Sequence, residues 1–333
     1  MKPPPGARPA LYWEPMDKGR VRCRLCPFNC VLSECKTGIC AGKTNVGGIL
    51  YAVNYAFTTS INLDPMEKKP LYHFYPGSSI LSIGPNGCNM ACDFCQNYYI
   101  SQQSAPTERL MPEEAAALAV SYGSVGLAYT YAEPLIWYEY VLDTSKEVRK
   151  AGLKNVLVTN GMINPEPMME LLPYTDAMNI DIKSMDPAFY RKVCHGMLEP
   201  VLETVKLTFA RTHVEITNLV IPGFNDSDEM FHQLTDFLAD LSPYIPLHFS
   251  RYHPDYKLHA PPTPLDTLLR AARIASEKLK YVYIGNVHTD THNQTKCPFC
   301  GKIVIERGGF SVYRVSLTKG KCNFCGGDTG VIM

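Results

Sequence analysis

The stretch Ser79-Ile80-Leu81-Ser82-Ile83-Gly84-Pro85-Asn86-Gly87-Cys88-Asn89-Met90-Ala91-Cys92-Asp93-Phe94-Cys95-Gln96-Asn97 decides the reading of this chain. A short β-like run empties into a loop whose thiols follow the spacing C-x3-C-x2-C. Three thiolates so close together can wrap one loop around a [4Fe–4S] cubane, yet a cubane wants four ligands, and ferredoxin-type runs use other spacings with a fourth Cys. The next cysteine, Cys194, is far along the chain. One iron is therefore left open, and an open iron can take the amino and carboxylate groups of S-adenosylmethionine, one of few routes to carbon-centred radicals. The competing reading, a zinc knuckle from Cys92 and Cys95 with Cys88 idle, lacks the second short-spaced pair that zinc sites typically bring.

Outward from this loop, from Ile80 to Val287, short β-like runs alternate with longer helical patterns. The runs fall at 79–83, 125–129, 155–158, 177–180, 214–217, 219–221, 247–249 and 281–284. A helix is expected over 112–121, where Pro112 opens the first turn and Glu113 and Glu114 suit the positive end of the helix dipole. Another begins near Asp226 or Asp228 as N-cap and runs through Met230, Phe231, Leu234, Phe237, Leu238 and Leu241. Regular β–α alternation implies parallel strands joined by right-handed crossovers. About six such units predict an α/β fold, a partial (β/α)6 barrel, with chemistry at the C-terminal ends of its strands.

Composition narrows the function classes. A chain of 333 residues, 46% hydrophobic, can bury a full core. Lys plus Arg and Asp plus Glu number 32 each, so nothing pulls the molecule as a whole toward nucleic acid or anionic lipid. No stretch approaches the roughly 20 apolar residues of a membrane span, and a cytoplasmic protein is expected. The 13 cysteines would be reduced there, and their C-x2-C pairs point to metals.

The strand ends supply the candidate cofactor contacts. Glu133, after the second strand, can accept hydrogen bonds from an ammonium group. Thr159, Asn160 and Asp181, after the third and fourth, could hold a ribose or a carboxylate, and Lys183 could neutralise a carboxylate or pair with Asp181. Asn286, on the last strand, is a candidate for adenosine, and Phe94, the aromatic before the third cysteine, joins the set. The turn Ile221-Pro222-Gly223-Phe224-Asn225-Asp226 could bring backbone amides to a ligand. His248, Arg251, His253 and His259 surround the sixth strand end, and His288 and His292 flank a polar loop; none is assigned a catalytic role.

Both ends of the chain carry further thiols. Cys297-Pro298-Phe299-Cys300-Gly301 and Cys322-Asn323-Phe324-Cys325-Gly326 bracket two β-like runs turning at Gly308-Gly309, which describes a zinc ribbon. At the other end Cys23, Cys26, Cys30 and Cys40 are the preferred four of five thiols. Zinc and a second iron–sulfur cluster both fit four thiolates, with zinc first. The expected organisation is a flexible leader (1–20), a Cys-rich metal-binding module (21–75), the partial barrel (76–292) and a zinc-ribbon-like module (293–333).

A family resemblance now comes into view. Cys23-Arg24-Leu25-Cys26-Pro27, Pro70-Leu71-Tyr72-His73-Phe74-Tyr75-Pro76-Gly77, the cysteine loop, Tyr131-Ala132-Glu133-Pro134, Val158-Thr159-Asn160-Gly161, Asn179-Ile180-Asp181-Ile182-Lys183, Pro222-Gly223-Phe224-Asn225-Asp226 and Tyr283-Ile284-Gly285-Asn286 resemble, in order, the radical SAM enzymes of the AMMECR–Memo–radical SAM system, a family similar to pyruvate formate-lyase activating enzymes. The resemblance covers nearly the whole chain. It implies a radical SAM barrel, S-adenosylmethionine, a low-potential electron donor and Memo-like and AMMECR-like partners, with no settled substrate. Two positions depart from the pattern: Ala132 stands where Asn often precedes the Glu, and Cys35 where a non-cysteine is common, so Cys35 is the thiol set aside. The expected activity is reductive cleavage of S-adenosylmethionine to a 5′-deoxyadenosyl radical that abstracts hydrogen, with activation of a glycyl radical enzyme as the narrower alternative. A metal-containing scaffold or RNA-binding protein is the reading from another class, disfavoured by the balanced charge. A cobalamin-assisted methyltransferase would need a further domain.

Overall fold

In the computed structural model, residues 2–287 and 292–333 are described. One eight-stranded sheet organises the chain. Its strands are β1 (Ser60–Pro65), β2 (Ser79–Gly84), β3 (Gly126–Tyr129), β4 (Lys154–Thr159), β5 (Ala177–Asp181), β6 (His213–Val220), β7 (Leu247–Arg251) and β8 (Val282–Gly285). They lie side by side in chain order. β1 is antiparallel to β2, and the pairings from β2 to β8 are all parallel, with registers such as Leu127↔Leu81 and Leu157↔Met178.

The crossovers carry helices α1 (Pro112–Ser121), α2 (Tyr138–Lys150), α3 (Pro165–Leu171), α4 (Leu198–Phe209), α5 (Asp228–Leu241) and α6 (Leu265–Ser276). The parallel strands are buried on both faces, which is why they read as nearly unbroken apolar runs. Alternate residues separate the faces. Leu81, Ile83, Leu127, Tyr129, Leu157, Met178 and Ile180 join the large core that includes the helices. Ile80, Ala128, Val156 and Ala177 instead pack on Met66, Leu71 and Phe74, from the segment between β1 and β2. That segment fills the inner face near the strand starts. Glu215 on β6 anchors it, accepting the backbone N–H groups of Tyr72 and His73 at 3.0 and 2.7 Å.

Three elements differ from the sequence expectation. The runs 214–217 and 219–221 are one strand, because Asn218 between them is buried and donates to the Ile182 carbonyl (2.8 Å) instead of breaking the ladder. The cap of α5 is Ser227, which accepts from the Met230 N–H; neither Asp226 nor Asp228 does so. The leader expected to be flexible pairs from Arg8 onward: Arg8–Pro9 with Tyr51 and Ala52, and Trp13–Pro15 with Val21–Cys23. Glu139 of α2 holds it, accepting the Leu11 N–H at 2.9 Å.

At the other end, Ile303–Gly308 and Ser311–Val315 form an antiparallel hairpin. It is tied to the sheet by Arg307, whose fully buried guanidinium meets Glu67 (3.2 Å), the Tyr72 carbonyl (2.6 Å) and Thr295 (2.7 Å). Among the described residues, no helix is long and apolar enough to cross a membrane.

Candidate functional site

The cysteine loop leaves β2 at the C-terminal end of the sheet. Gly87 has φ +98°, and a Cβ there would run into the Cys40 carbonyl, so only glycine lets the loop pass the N-terminal segment. A π-turn, Tyr190–Cys194, clamps the loop from the other side: Ala91 donates to the Cys194 carbonyl (3.1 Å) and Asp93 to that of Val193 (2.9 Å). Cys194, remote in sequence, is thereby a neighbour of Cys92. Of the two thiols, Cys92 is held below its ordinary pKa by a hydrogen bond with Cys194 and, against burial, by Lys183, while burial pushes Cys194 up.

Two of the three loop sulfurs meet donors of their own, while the Cys92 thiol donates to the Cys194 carbonyl at 3.7 Å. Cys88 accepts from the Met90 N–H at 3.3 Å and faces the Asn160 amide at 3.5 Å, and Cys95 lies 3.1 Å from the Ser101 hydroxyl. Such donors favour thiolate and tune a cluster's potential. No three ligand atoms here lie within 4.8 Å of one another. A cubane, with its irons at alternate corners, spreads its thiolates beyond what a single ion allows, and three thiols on one loop that are not gathered about a single point are compatible with that.

Cys88, Cys92 and Cys95 open into a cavity of about 590 Å³ at the strand ends. Phe94, Glu133, Thr159, Asn160, Asp181, Lys183 and Asn286 line the same cavity. These seven sequence-derived candidates thus share one space, of a size suited to a small-molecule site.

Glu133 is buried on the cavity wall. Its carboxylate accepts from the Leu135 N–H (3.0 Å), the Thr159 hydroxyl (2.6 Å) and the Asn160 N–H (2.8 Å), tying β3's end to β4's. Burial outweighs those bonds and pushes its pKa from 4.5 up to about 7, with Asp181 adding to the rise. Lys183 pairs with Asp181 at 3.0 Å and lies 5.8 Å from the centre of the Phe94 ring. Asn286, at φ +58°, donates to the Ser250 hydroxyl at 2.8 Å.

Other candidates fall elsewhere. The turn after β6 does not line the cavity; Asn225 closes it on the Ile221 N–H (2.6 Å) and donates to the Lys183 carbonyl (2.6 Å), so it positions Lys183 rather than a ligand. Arg251, His253, His259 and His292 also lie off the cavity wall, and His288 lies outside the described residues. His248 does line it, and its imidazole meets Glu215 at 2.7 Å. Glu215, also bonded by His213 (3.0 Å), is held well below the usual carboxylate range by these two hydrogen bonds, against burial.

Sequence reasoning missed Thr217 and Ser250, which share the inner face with Glu215 and His248. Their signal was available: near the strand ends every second residue turns polar. It also missed Lys69 and Tyr131, joined through Asp64 (2.6 Å to each), and Phe310 at the tip of the C-terminal hairpin, all on the cavity wall.

The terminal thiols divide into two kinds. Cys297, Cys300, Cys322 and Cys325 have ligand atoms within 4.8 Å of one another and could hold a metal ion. Cys23 and Cys40 are buried, Cys26 and Cys30 partly so, and Cys35 is exposed with φ +60°.

Comparison with known proteins agrees with this geometry. Residues 82–238 match the Radical SAM superfamily. An uncharacterized protein of Methanocaldococcus jannaschii is 45% identical over 98% of this chain and 100% of its own length. Pyruvate formate-lyase 1-activating enzyme of Escherichia coli is 27% identical over 50% of this chain and 71% of its own. Among solved structures, Streptococcus suis SuiB bound to S-adenosylmethionine superposes with a TM-score of 0.51 at 14% identity, over 63% of this chain and 52% of SuiB, a likeness of fold. A radical SAM domain takes a [4Fe–4S] cluster and S-adenosylmethionine, and the thiol trio with its adjoining cavity suits both. The chain belongs to the family of the M. jannaschii protein, and that family is built around a Radical SAM superfamily domain homologous to pyruvate formate-lyase activating enzymes.

Proposed function

We propose that this protein is a radical SAM enzyme that generates a 5′-deoxyadenosyl radical and uses it to abstract hydrogen from a substrate admitted to the same cavity. The observation that carries this reading is the convergence of Cys88, Cys92 and Cys95 with Glu133, Thr159, Asn160, Asp181, Lys183 and Asn286 on one wall. When bound, the cluster and S-adenosylmethionine supply one-electron reductive cleavage of the sulfonium to methionine and the radical, the electron coming from a low-potential donor.

The chain's own residues bind and orient. Cys88, Cys92 and Cys95 would ligate three irons and leave the fourth open. Glu133 would accept the cofactor's ammonium, which its raised pKa makes pH-sensitive, while the bonds to Thr159 and Asn160 keep the carboxylate aimed. Lys183, beside Asp181 and Phe94, would meet the carboxylate or ribose, and Asn286 the adenosine. The inner-face plug around Met66, Leu71 and Phe74 closes the floor and keeps water out. Cys297, Cys300, Cys322 and Cys325 would hold zinc, whose tetrahedron puts sulfurs about 3.8 Å apart; the opposed pairs stand at 3.6 and 3.8 Å.

The narrower reading is activation of a glycyl radical enzyme. Besides the E. coli protein, the 4-hydroxyphenylacetate decarboxylase activating enzyme of Clostridium scatologenes is 26% identical over 36% of this chain, which supports it. A stoichiometric glycyl radical signal in a co-encoded protein would favour that reading, and multiple turnovers of a small molecule would count against it. Memo-like and AMMECR-like partners follow from the family resemblance, and thiols grouped for metal binding rather than disulfides suit a reducing, cytoplasmic setting. The cofactor-binding part is tested by electron paramagnetic resonance of the reduced cluster: adding S-adenosylmethionine should change the signal in wild type and leave it unchanged in Glu133→Ala at the same concentration. An unchanged wild-type signal would contradict binding at the open iron.

A further inference from the structure

We propose that the face formed by the π-turn Tyr190–Cys194 and the segment at Lys257 docks an acidic protein that carries one low-potential electron, which enters the cluster through Cys92; this rests on the radical reading above. Cofactor and substrate would occupy the cavity side of Cys88, Cys92 and Cys95, so an electron must arrive from behind the loop. Behind it stands the π-turn, an irregularity frequent at functional sites. The Cys194 carbonyl lies 3.7 Å from the Cys92 sulfur and accepts the Ala91 N–H at 3.1 Å, and the Val193 carbonyl accepts from Asp93 at 2.9 Å. Arg191 and Lys192 of the same turn are exposed. From that surface to a ligand sulfur there is one turn of backbone and one short contact. On the other flank the Lys257 and Leu258 N–H groups donate to the Asp93 carbonyl, both at 2.9 Å, which sets the exposed Lys257 beside the same loop.

Basic and acidic residues number 32 each, so attraction of an acidic partner has to be local. On this face Arg191, Lys192 and Lys257 are exposed, whereas Asp93 and Asp255 are partly buried and engaged, Asp93 with His195 (3.3 Å) and Asp255 with the Tyr256 N–H (2.7 Å). Next to Lys257 the Tyr98 ring stacks on Tyr256 at 4.7 Å and on the exposed Tyr99 at 4.2 Å, an aromatic edge to the basic patch. Electron-transfer encounters use small interfaces, and complementary charge supplies their on-rate and orientation. In the step itself the carrier loses one electron and the cluster passes from [4Fe–4S]2+ to [4Fe–4S]1+, with no bond made or broken.

The probe is flavodoxin hydroquinone, mixed rapidly and without oxygen with the reconstituted full-length protein and S-adenosylmethionine; semiquinone formation reports the transfer. In wild type the second-order rate constant should fall as salt is raised from about 0.05 to about 0.5 M. Arg191→Glu/Lys192→Glu/Lys257→Glu should lower it about tenfold or more at low salt and remove the fall. Lys150→Glu/Arg211→Glu/Lys280→Glu, the same charge change before β4, β6 and β8 at the opposite end of the sheet, should leave it near the wild-type value. Both variants should match wild type in iron content and in the reduced-cluster signal reached with dithionite, which checks their fold. A wild-type rate indifferent to salt, or equal rates in the two triple variants, would overturn the proposal. A wild type that loads no iron, or whose cluster dithionite does not reduce, would instead be a failure of the radical reading, so the two failures are distinguishable.

Discussion

At the residue scale, Glu133 makes the sharpest prediction. Its carboxyl ionises near pH 7 because it is buried, and only the ionised form attracts an ammonium. S-adenosylmethionine affinity should therefore fall about tenfold for each pH unit below 7, and Glu133→Gln should bind weakly with a flat profile, both measurable by calorimetry. The same shift has a stability consequence. The folded pKa lies above the unfolded value of 4.5, so the folded chain holds a proton that the unfolded chain has lost. This contribution to stability is full below pH 4.5 and is lost as the pH rises through 7. Gly87 gives a second prediction: Gly87→Ala places a Cβ at φ +98° against backbone and should destabilise by more than about 1 kcal/mol, lowering iron loading, as read by thermal melts and iron assay.

At the scale of elements, the strands were legible because parallel strands buried on both faces write themselves as apolar runs, and α1 because Pro112 and two acids mark its first turn. The boundaries that were not legible depended on contacts made at a distance. Asn218 reads as a break until its partner, the Ile182 carbonyl, is known. Arg8–Pro9 and Trp13–Pro15 are too short to carry a period, and Tyr51, Ala52 and Cys23 supply the pairing. The candidates on loops after strands, which line the cavity, were recognisable from position and residue type. Cys194 beside Cys92 was not, since a π-turn, which no periodicity announces, brings it there. Asn225 shows an element acting through another residue: its amide holds the Lys183 carbonyl at 2.6 Å. Asn225→Ala should lower affinity for S-adenosylmethionine without removing iron, whereas a loss of iron would contradict a role confined to Lys183.

At the scale of the molecule, the C-terminal module is more than an appendage. Arg307 is buried against Glu67 and stacked 4.3 Å over Tyr72, and Phe310 from the same hairpin lines the cavity. Arg307→Met should cost about 3–5 kcal/mol by stranding the Glu67 carboxylate, and Glu67→Leu/Arg307→Met should recover part of it, as measured by denaturant unfolding. Cys297→Ser/Cys322→Ser, which would abolish any metal site there, should impair chemistry on substrate more than cofactor binding, because Phe310 of the hairpin lines the cavity while Glu133 and Lys183 stand on the loops that follow β3 and β5. The hairpin and its four thiols were plain in the sequence; its place over the cavity was not, because a buried Arg paired with a Glu 240 residues away leaves no local trace.

The most direct measurement is 5′-deoxyadenosine formation by the anaerobically reconstituted protein with S-adenosylmethionine and a strong reductant, beside Cys92→Ala with its metal content determined. The account predicts product from wild type and none from Cys92→Ala. Equal product from both, or a wild-type protein that loads no iron at Cys88, Cys92 and Cys95, would contradict it.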